Sequence, residues 1–341
     1  MTSLFVDRRG VELELEAGAI VFRENGQRIG TVPIAPLSRV FLRGDVRLSA
    51  SLLGKLGESG VGVVILTGRH GRPSLLLARP HNDAARRVEQ VRISLDEEAS
   101  LGIAKELIER KIDCQIEWFT ALRETDMQAR YLLSHALRQL QEHRQRVTQT
   151  TNAASLRGVE GSAAARYFGG LKAVVPESLH FHVRNRRPPR DPFNAILSLT
   201  YTLLHSEVAI ALHGAGFDPY VGFYHRLDFG RESLASDLLE PLRPLADRFA
   251  LQLVRKQVLD KDHFTTGTNG CLLGKAGRTR FYTAYEEHSE TLRAGINLEI
   301  DRLATRVGNS RAAPARTTDT TDTTDSAADF AEEGSNYGEI E

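Results

Sequence analysis

The sequence predicts an α+β fold, in which an N-terminal domain rich in β-strands precedes a larger all-α C-terminal domain that carries the candidate site. Residues 3–80 alternate apolar and polar side chains at the two-residue period of strands. From Asn82 onward the period lengthens to that of helices, in stretches rich in Ala, Leu, Glu, Arg and Gln. A chain of 341 residues is long enough for two domains. We therefore expect a β domain at 1–80, a linker at 81–85, a helical catalytic domain at 86–307 and a disordered acidic tail at 308–341.

Strand patterns in the first domain are LFVD, VELELEAGAIVFRE and RIGTVPI, with Glu24-Asn25-Gly26 as a hairpin turn between two of them. SASLLGKLGESG then has helical spacing and ends at Gly60, and VGVVILTG follows as a buried apolar strand. No constellation of catalytic residues stands out in this region. We interpret the domain as a scaffold or assembly surface.

The helical domain opens with two long stretches at 83–122 and 126–147, the first capped by Asn82 or Asp83. Asp191-Pro192 is typical of an N-cap followed by proline at the first helical position. The helix that it starts is expected to run to His213.

The end of the folded region contains glycine-rich turns and short apolar runs at 262–285, which suggest a small β-hairpin insertion. A last helix is expected from about Glu286 to Val307. The most apolar helix, near 195–212, is interrupted by polar side chains and is not expected to span a membrane. The N-terminus has no apolar run of signal-peptide length, and the two cysteines form no CxxC pair. These features predict a cytoplasmic protein.

The charge balance is uneven along the chain. All 44 Lys and Arg residues but only 36 of the 44 Asp and Glu residues lie in 1–316, so this part has a formal net charge of +8. The remaining eight acids lie in the low-complexity tail, which contains a Thr-Thr-Asp repeat and is expected to be disordered. A basic body suits a polyanionic partner.

The stretch from Gly222 to Pro244, GFYHRLDFGRESLASDLLEPLRP, contains the first candidate site residues. If 234–239 is helical, the Asp237 and Glu240 carboxylates project from one face, and His225 can meet them across the turn. Two carboxylates and an imidazole suit a divalent ion of the manganese type. Pro241 and Pro244 are expected to disturb the helix. The alternative is an amphipathic helix whose acids face water.

Two further segments carry candidate residues. Glu160 lies between Gly158 and Gly161, and small neighbours tend to bury an acid; the alternative is a first-turn glutamate favoured by the helix dipole. Residues 180–194 form a proline-bearing loop with four arginines that either face solvent or contact phosphate. These arginines are Arg184, Arg186, Arg187 and Arg190.

In combination, LRGVEGSAAARYF, RNRRPPRDPFNAILSLTYTLL, AGFDPYVGFYH and SLASDLLEPLRP resemble the large integrase subunit of CRISPR adaptation, the first of the Cas proteins. VFLRGDVRLSASLLGKLGESGVGVVILTGRHGRP is similar to the β domain of that family, so the resemblance extends over about 3–305. It implies metal ligands at Glu160, His225 and Glu240. Asp237 matches a further family acid, which either orients the metal environment or assists the substrate hydroxyl.

The resemblance also implies the chemistry and the partners. A site holding Mn²⁺ or Mg²⁺ would promote attack by the 3′-hydroxyl of a short captured DNA on the boundary of a repeat in the CRISPR array, an antiviral defence reaction, and would cleave DNA when water is the nucleophile. Expected partners are double-stranded DNA, a second copy in a homodimer, and the small ferredoxin-like adaptation subunit, the second Cas protein. Alternatives are a catalytically silent nucleic-acid-binding assembly subunit of the same fold and a phosphohydrolase acting on small substrates.

Overall fold

The α+β fold with a strand-rich N-terminal region and a mostly helical C-terminal region is confirmed by the computed structural model. The structure describes residues 2–66, 73–77, 84–185, 188–225, 228–268 and 270–310. Of these, residues 309 and 310 are described as helix backbone only. Within these ranges the strands are β1 Thr2–Asp7, β2 Val11–Glu16, β3 Ala19–Glu24, β4 Gln27–Pro33, β5 Leu37–Arg43, β6 Val46–Leu48, β7 Gly62–Ile65, β8 Ser74–Leu76, β9 Phe264–Gly267 and β10 Gly270–Leu273. The α-helices are α1 Ala50–Glu58, α2 Ala84–Leu95, α3 Glu97–Thr125, α4 Arg130–Thr148, α5 Ala153–Lys172, α6 Pro192–Gly214, α7 Ser233–Arg255 and α8 Lys275–Ser310.

The β domain contains two four-stranded sheets. One has the order β1-β5-β7-β8, with β1, β5 and β7 parallel and β8 antiparallel at the edge. The other has the order β4-β3-β2-β6, in which the predicted turn at Asn25-Gly26 joins β3 to β4, and Asn25 has a φ of 51°. Alternating apolar residues of both sheets and of α1 form a small core of their own. The strand periodicity of the sequence therefore identified this domain correctly.

A larger core contains the buried faces of α3 to α8. Asp96 caps α3 by accepting from Ala99 N at 2.9 Å, and this cap separates α2 from α3 within the first predicted helical stretch. Asp191 caps α6 by accepting from Asn194 N at 2.8 Å, as expected from the Asp-Pro pair. By length and composition α6 could cross a membrane, but 67% of its apolar window is buried inside the protein. It is therefore a core helix.

The larger core extends onto the first sheet at a stack of aromatic rings. Phe5 of β1 lies between Phe41 of β5 and Tyr282 of α8, with centroid distances of 4.6 Å to both. Ser3 N also donates to Glu286 Oε1 at 2.8 Å. The strand-rich domain is thus joined to the last helix through apolar and polar contacts.

One expectation about helices was wrong. The last helix begins at Lys275, not near Glu286, because Phe281 and Tyr285 are spaced one helical turn apart and both pack into the core. The predicted hairpin is correspondingly limited to β9 and β10. Helix α7 continues through Pro241 and Pro244, which are both buried. Their packing keeps the helix continuous although each proline lacks an N–H.

The boundaries 1–80, 81–85, 86–307 and 308–341 stay a prediction. Residues 81–83, including the proposed caps Asn82 and Asp83, lie outside the described residues, as do 311–341 of the tail. Helix α2 starts at Ala84 and α8 ends at Ser310.

Candidate metal centre

Asp237 on α7 organises the loop that carries His225. The Asp237 side chain is fully buried, and it accepts four hydrogen bonds. Oδ2 accepts from Phe223 N at 2.7 Å and from Tyr224 N at 3.0 Å. Oδ1 accepts from His225 N at 2.9 Å and contacts His225 Nδ1 at 2.6 Å. Since both oxygens are engaged in this way, Asp237 holds three consecutive residues of the loop against α7.

Gly222 allows this close approach of loop and helix. A Cβ at this position would lie 2.7 Å from Asp237 Oδ2 and 2.9 Å from Ser233 Cβ. Neither neighbour can withdraw easily, because one is hydrogen-bonded to the loop and the other begins α7. The glycine of the Gly-Phe-Tyr-His sequence is therefore required by the packing of the loop.

The imidazole of His225 is fixed through one nitrogen. When Nδ1 donates to Asp237, the lone pair of the ring resides on Nε2, which is the arrangement that metal-binding histidines use. The side chain is 19% exposed, and its ring meets the edge of Tyr224 at a centroid distance of 5.0 Å. His225 is thus positioned at the surface of the core.

Glu160 and Glu240 converge on one cation, the ammonium group of Lys111. Lys111 is on α3, Glu160 on α5 and Glu240 on α7. The Nζ atom donates to Glu240 Oε2 at 2.7 Å and also contacts Glu160 Oε1. The side chains of Lys111 and Glu240 are each 6% exposed, whereas that of Glu160 is 23% exposed. Three helices therefore bring two carboxylates to a single point near the surface.

The surroundings of Lys111 and Glu240 favour the charged form of both side chains. Burial opposes ionisation of Lys111, but the Glu240 and Glu160 carboxylates outweigh burial and raise the pKa of Lys111 above its usual value. Burial likewise disfavours the charged form of Glu240, but Arg243 and Lys111 hold the pKa of Glu240 well below its usual range. Burial raises the pKa of Tyr224, and the nearby Glu160 and Glu240 raise it further. Tyr224, beside His225, therefore lies within electrostatic range of both acids.

Arg243 connects the cluster to a second buried group. Its Nε donates to Glu240 Oε1 at 2.9 Å, and its guanidinium lies over the Tyr201 ring at 4.8 Å from the centroid. The Tyr201 hydroxyl donates to Asp247, which also accepts from the Tyr167 hydroxyl at 2.8 Å. Both carboxylate oxygens of Glu240 are thus paired, one with Arg243 and one with Lys111.

The arginines of the proline-bearing loop differ in their surroundings. Arg184 donates to Asn194 Oδ1 at 2.8 Å and lies over Tyr201 at 5.3 Å, so its guanidinium is held by α6. Arg190 is exposed, and its backbone N–H donates to Asn185 Oδ1 at 2.8 Å. Arg186 and Arg187 lie outside the described residues. Phosphate binding by this loop stays a prediction.

The structure places Glu160 in the interior of α5, not in a first helical turn, because Asn152 caps the helix eight residues earlier. The structure brings Glu160 and Glu240 together at the Lys111 ammonium, and it brings the His225 ring into contact with Asp237. Lys111 was missed by the sequence reasoning. Its signal is a polar residue on the apolar face of α3, where it continues the spacing of the buried residues Leu107, Ile108, Ile112 and Gln115.

Carboxylates and an imidazole are ligand types that suit a divalent ion, and in this structure the Lys111 ammonium lies between the two carboxylates. Two carboxylate oxygens contact one positive charge, and the His225 imidazole, held through Nδ1 by Asp237, is near enough to Glu240 to lower its pKa. Within the described ranges, no group of three His, Cys, Asp or Glu side chains is close enough to bind a metal. Glu160, Glu240 and His225 are nevertheless the residues that would hold one.

The two-part α+β fold with an acid cluster between its helices was compared with known proteins. The family described as CRISPR associated protein Cas1 matches residues 4–287. A CRISPR-associated endonuclease Cas1 of Thermodesulfovibrio yellowstonii is 37% identical over 310 residues, which cover 90% of this chain and 97% of the relative. The chain belongs to the Cas1 family.

Two solved structures have the same fold. A casposase bound to integration product superposes with a TM-score of 0.75 at 20% identity, covering 93% of this chain and 92% of the casposase chain. A chain of a Cas6-RT-Cas1–Cas2 complex superposes with a TM-score of 0.74 at 26% identity and covers 92% of this chain. This chain corresponds to 35% of that longer one.

Proposed function

We propose that the protein is a metal-dependent DNA endonuclease and integrase, which inserts short DNA fragments into a CRISPR repeat array by 3′-hydroxyl attack on a phosphodiester. One observation carries the proposal: Glu160 and Glu240 converge on one cation beside a histidine whose ring is fixed by a buried aspartate. The chain belongs to a family in which a relative is named an endonuclease, and this membership supports the same class of reaction.

Glu160, Glu240 and His225 Nε2 would hold Mn²⁺ or Mg²⁺. When bound, such an ion polarises the scissile phosphate and favours deprotonation of the attacking hydroxyl. Asp237 acts as a positioning residue, since it fixes the His225 ring and keeps the Nδ1 proton in place. Arg243 holds the second oxygen of Glu240 and thereby orients the carboxylate.

The DNA would be held mainly through its phosphates. The part of the chain before the tail has a formal net charge of +8, with 44 basic and 36 acidic residues. Arg190 is exposed and able to reach a phosphate, whereas a phosphate contact by Arg184 requires its contact with Asn194 to break. Contacts of this kind position DNA without reading its bases and weaken with salt.

The proposed partners are double-stranded DNA, a second copy of the chain and the small ferredoxin-like subunit, in the cytoplasm. The casposase of the same fold is bound to an integration product, and the Cas6-RT-Cas1–Cas2 structure is a complex with Cas2. The strand-rich domain is the proposed assembly surface, because it lies apart from the metal centre and has a core of its own.

The test is a strand-joining assay with the purified protein, its small partner, short duplex DNA, a repeat-bearing plasmid and Mn²⁺. We expect Glu160→Ala and His225→Ala to lose joining by about a hundredfold or more while they retain DNA binding, since removal of outer-shell partners alone costs roughly 10- to 100-fold. Glu117→Ala, an exposed acid on the same helix as Lys111, is the matched control and should join DNA normally. Wild-type activity in Glu160→Ala would refute the proposal.

A second candidate is a catalytically silent assembly subunit. It is favoured by one observation, the lysine ammonium that occupies the position between the two carboxylates. DNA binding by the wild type without joining or cleavage in Mn²⁺ would establish this alternative. Hydrolysis of nucleotides but not of DNA would instead indicate a phosphohydrolase.

A further inference from the structure

Lys111 is a buried cation with two acidic partners on two other helices. Its Nζ lies 2.7 Å from Glu240 Oε2, and it contacts Glu160 Oε1 as well. The side chain is only 6% exposed. A buried ammonium is retained in a fold when its charge is compensated at hydrogen-bond distance, and both compensating groups here are proposed metal ligands.

The same contacts leave neither carboxylate oxygen of Glu240 without a cationic partner. The other carboxylate oxygen of Glu240, Oε1, already accepts a hydrogen bond from Arg243 Nε at 2.9 Å. A divalent ion that used Glu160 and Glu240 together would therefore have to take the position of the Lys111 ammonium. Two positive charges cannot share that position, because their repulsion in a partly buried site is large.

We propose that Lys111 is an internal counter-ion, which holds Glu160 and Glu240 together in the metal-free protein and must be displaced for a divalent ion to bind. Lys111 thereby lowers the metal affinity of the site. The inference rests on the proposed function, since it requires that Glu160 and Glu240 are metal ligands. The flexible four-carbon stem of lysine allows the ammonium to withdraw without a change of the helix.

Lys111 Nζ contacts one oxygen of Glu240 and one oxygen of Glu160. Binding of a metal to these oxygens therefore requires competition between two cations.

The experiment measures Mn²⁺ binding to the full-length protein without DNA, by isothermal titration calorimetry, and melting temperature with and without Mn²⁺. We expect Lys111→Met to bind Mn²⁺ about tenfold more tightly or better than the wild type, because no ion pair has to be broken. Its melting temperature should be lower than that of the wild type in the absence of metal, and Mn²⁺ should restore it. Lys105→Met is the matched control, since Lys105 is on the same helix and bonds only to Thr148 O among the contacts described.

The outcomes separate the inference from the proposed function. If wild type binds Mn²⁺ and Glu160→Gln does not, but Lys111→Met binds equally or more weakly, the counter-ion role is overturned and the metal site stands. If Glu160→Gln leaves Mn²⁺ binding unchanged in the wild-type and Lys111→Met backgrounds, the metal site and the counter-ion role both fail. Should Lys111→Met not fold, Lys111→Gln replaces it, because its amide still donates to a carboxylate but carries no charge.

Discussion

At the scale of one residue, burial changes the pKa of Asp247. It is 1% exposed and accepts the hydroxyl hydrogens of Tyr167 and Tyr201. Burial raises the pKa of Asp247 from 3.8 to about 6, although the two tyrosine hydrogen bonds and Arg243 act in the opposite direction. Since the folded pKa exceeds the unfolded one, the folded state binds more protons between these values. The contribution of Asp247 to stability therefore falls as pH rises through that window.

Asp247→Asn removes this ionisation, so the stability of the variant relative to wild type should increase between pH 4 and pH 7. The increase is at most about 3 kcal/mol, from roughly 1.4 kcal/mol for each tenfold change in proton affinity. Thermal unfolding of both proteins across this range measures it. Asp301→Asn, an exposed aspartate on α8, is the control and should give a flat difference. A flat difference for Asp247→Asn as well would contradict the assignment.

The residues of the candidate site were predictable to different degrees. Glu160, His225, Asp237 and Glu240 stand out because an acid or histidine beside glycines or leucines is expensive without a partner. Lys111 did not stand out, since lysine is common in amphipathic helices and only the packing of three helices shows that its face is buried. The pairing of Asp237 with the loop could not be predicted, because backbone N–H donors leave no signature in the sequence.

At the scale of one element, the adjacent glycines Gly169 and Gly170 of α5 differ in the space around them. Gly169-Gly170 does not end this helix, which continues to Lys172. A Cβ on Gly170 would lie 2.6 Å from Phe119 Cε2 and 2.9 Å from Ala136 Cβ, whereas a Cβ on Gly169 meets nothing within 4 Å. Gly170 thus permits close packing of α5 against α3 and α4, and Gly169 has no such function in the described contacts.

Two neighbouring substitutions should consequently have opposite effects on stability. Gly169→Ala is expected to stabilise the protein by about 0.5–1 kcal/mol, because alanine loses less backbone entropy in a helix. Gly170→Ala is expected to destabilise it by about 1–3 kcal/mol, because the methyl group overpacks the core. Chemical denaturation of both variants measures the difference. Equal effects of the two substitutions would show that the described packing is incorrect.

Element ends were harder to predict than element types. The Asp-Pro start of α6 was correct because the cap is local chemistry. The start of α8 was wrong because Phe281, Tyr282 and Tyr285 resemble strand residues and become helical through burial against the core. Tertiary packing here overrides the local preference.

At the scale of the whole molecule, the chain consists of a basic folded part and an acidic end. All 44 basic residues precede residue 317, and eight acids follow it. The ring stack of Phe5 with Phe41 and Tyr282 joins the first sheet to α8 within the folded part. The family match covers residues 4–287 and does not include the acidic end.

Deletion of 317–341 should therefore leave strand joining intact, within about twofold of the full chain, because every proposed site residue precedes it. The joining assay with and without the tail measures this. Binding of DNA at low salt is the accompanying control, since loss of eight acids changes long-range attraction to DNA. A large loss of joining would assign the tail a function.

The convergence of Lys111, Glu160 and Glu240 has a consequence during protein synthesis. The contact between Lys111 and Glu240 joins positions 129 residues apart in the chain. A nascent polypeptide on the ribosome lacks the centre until α7 has been translated and has docked beside α3 and α5. Truncated products that stop before this point lack Asp237 and Glu240 and cannot assemble the proposed site.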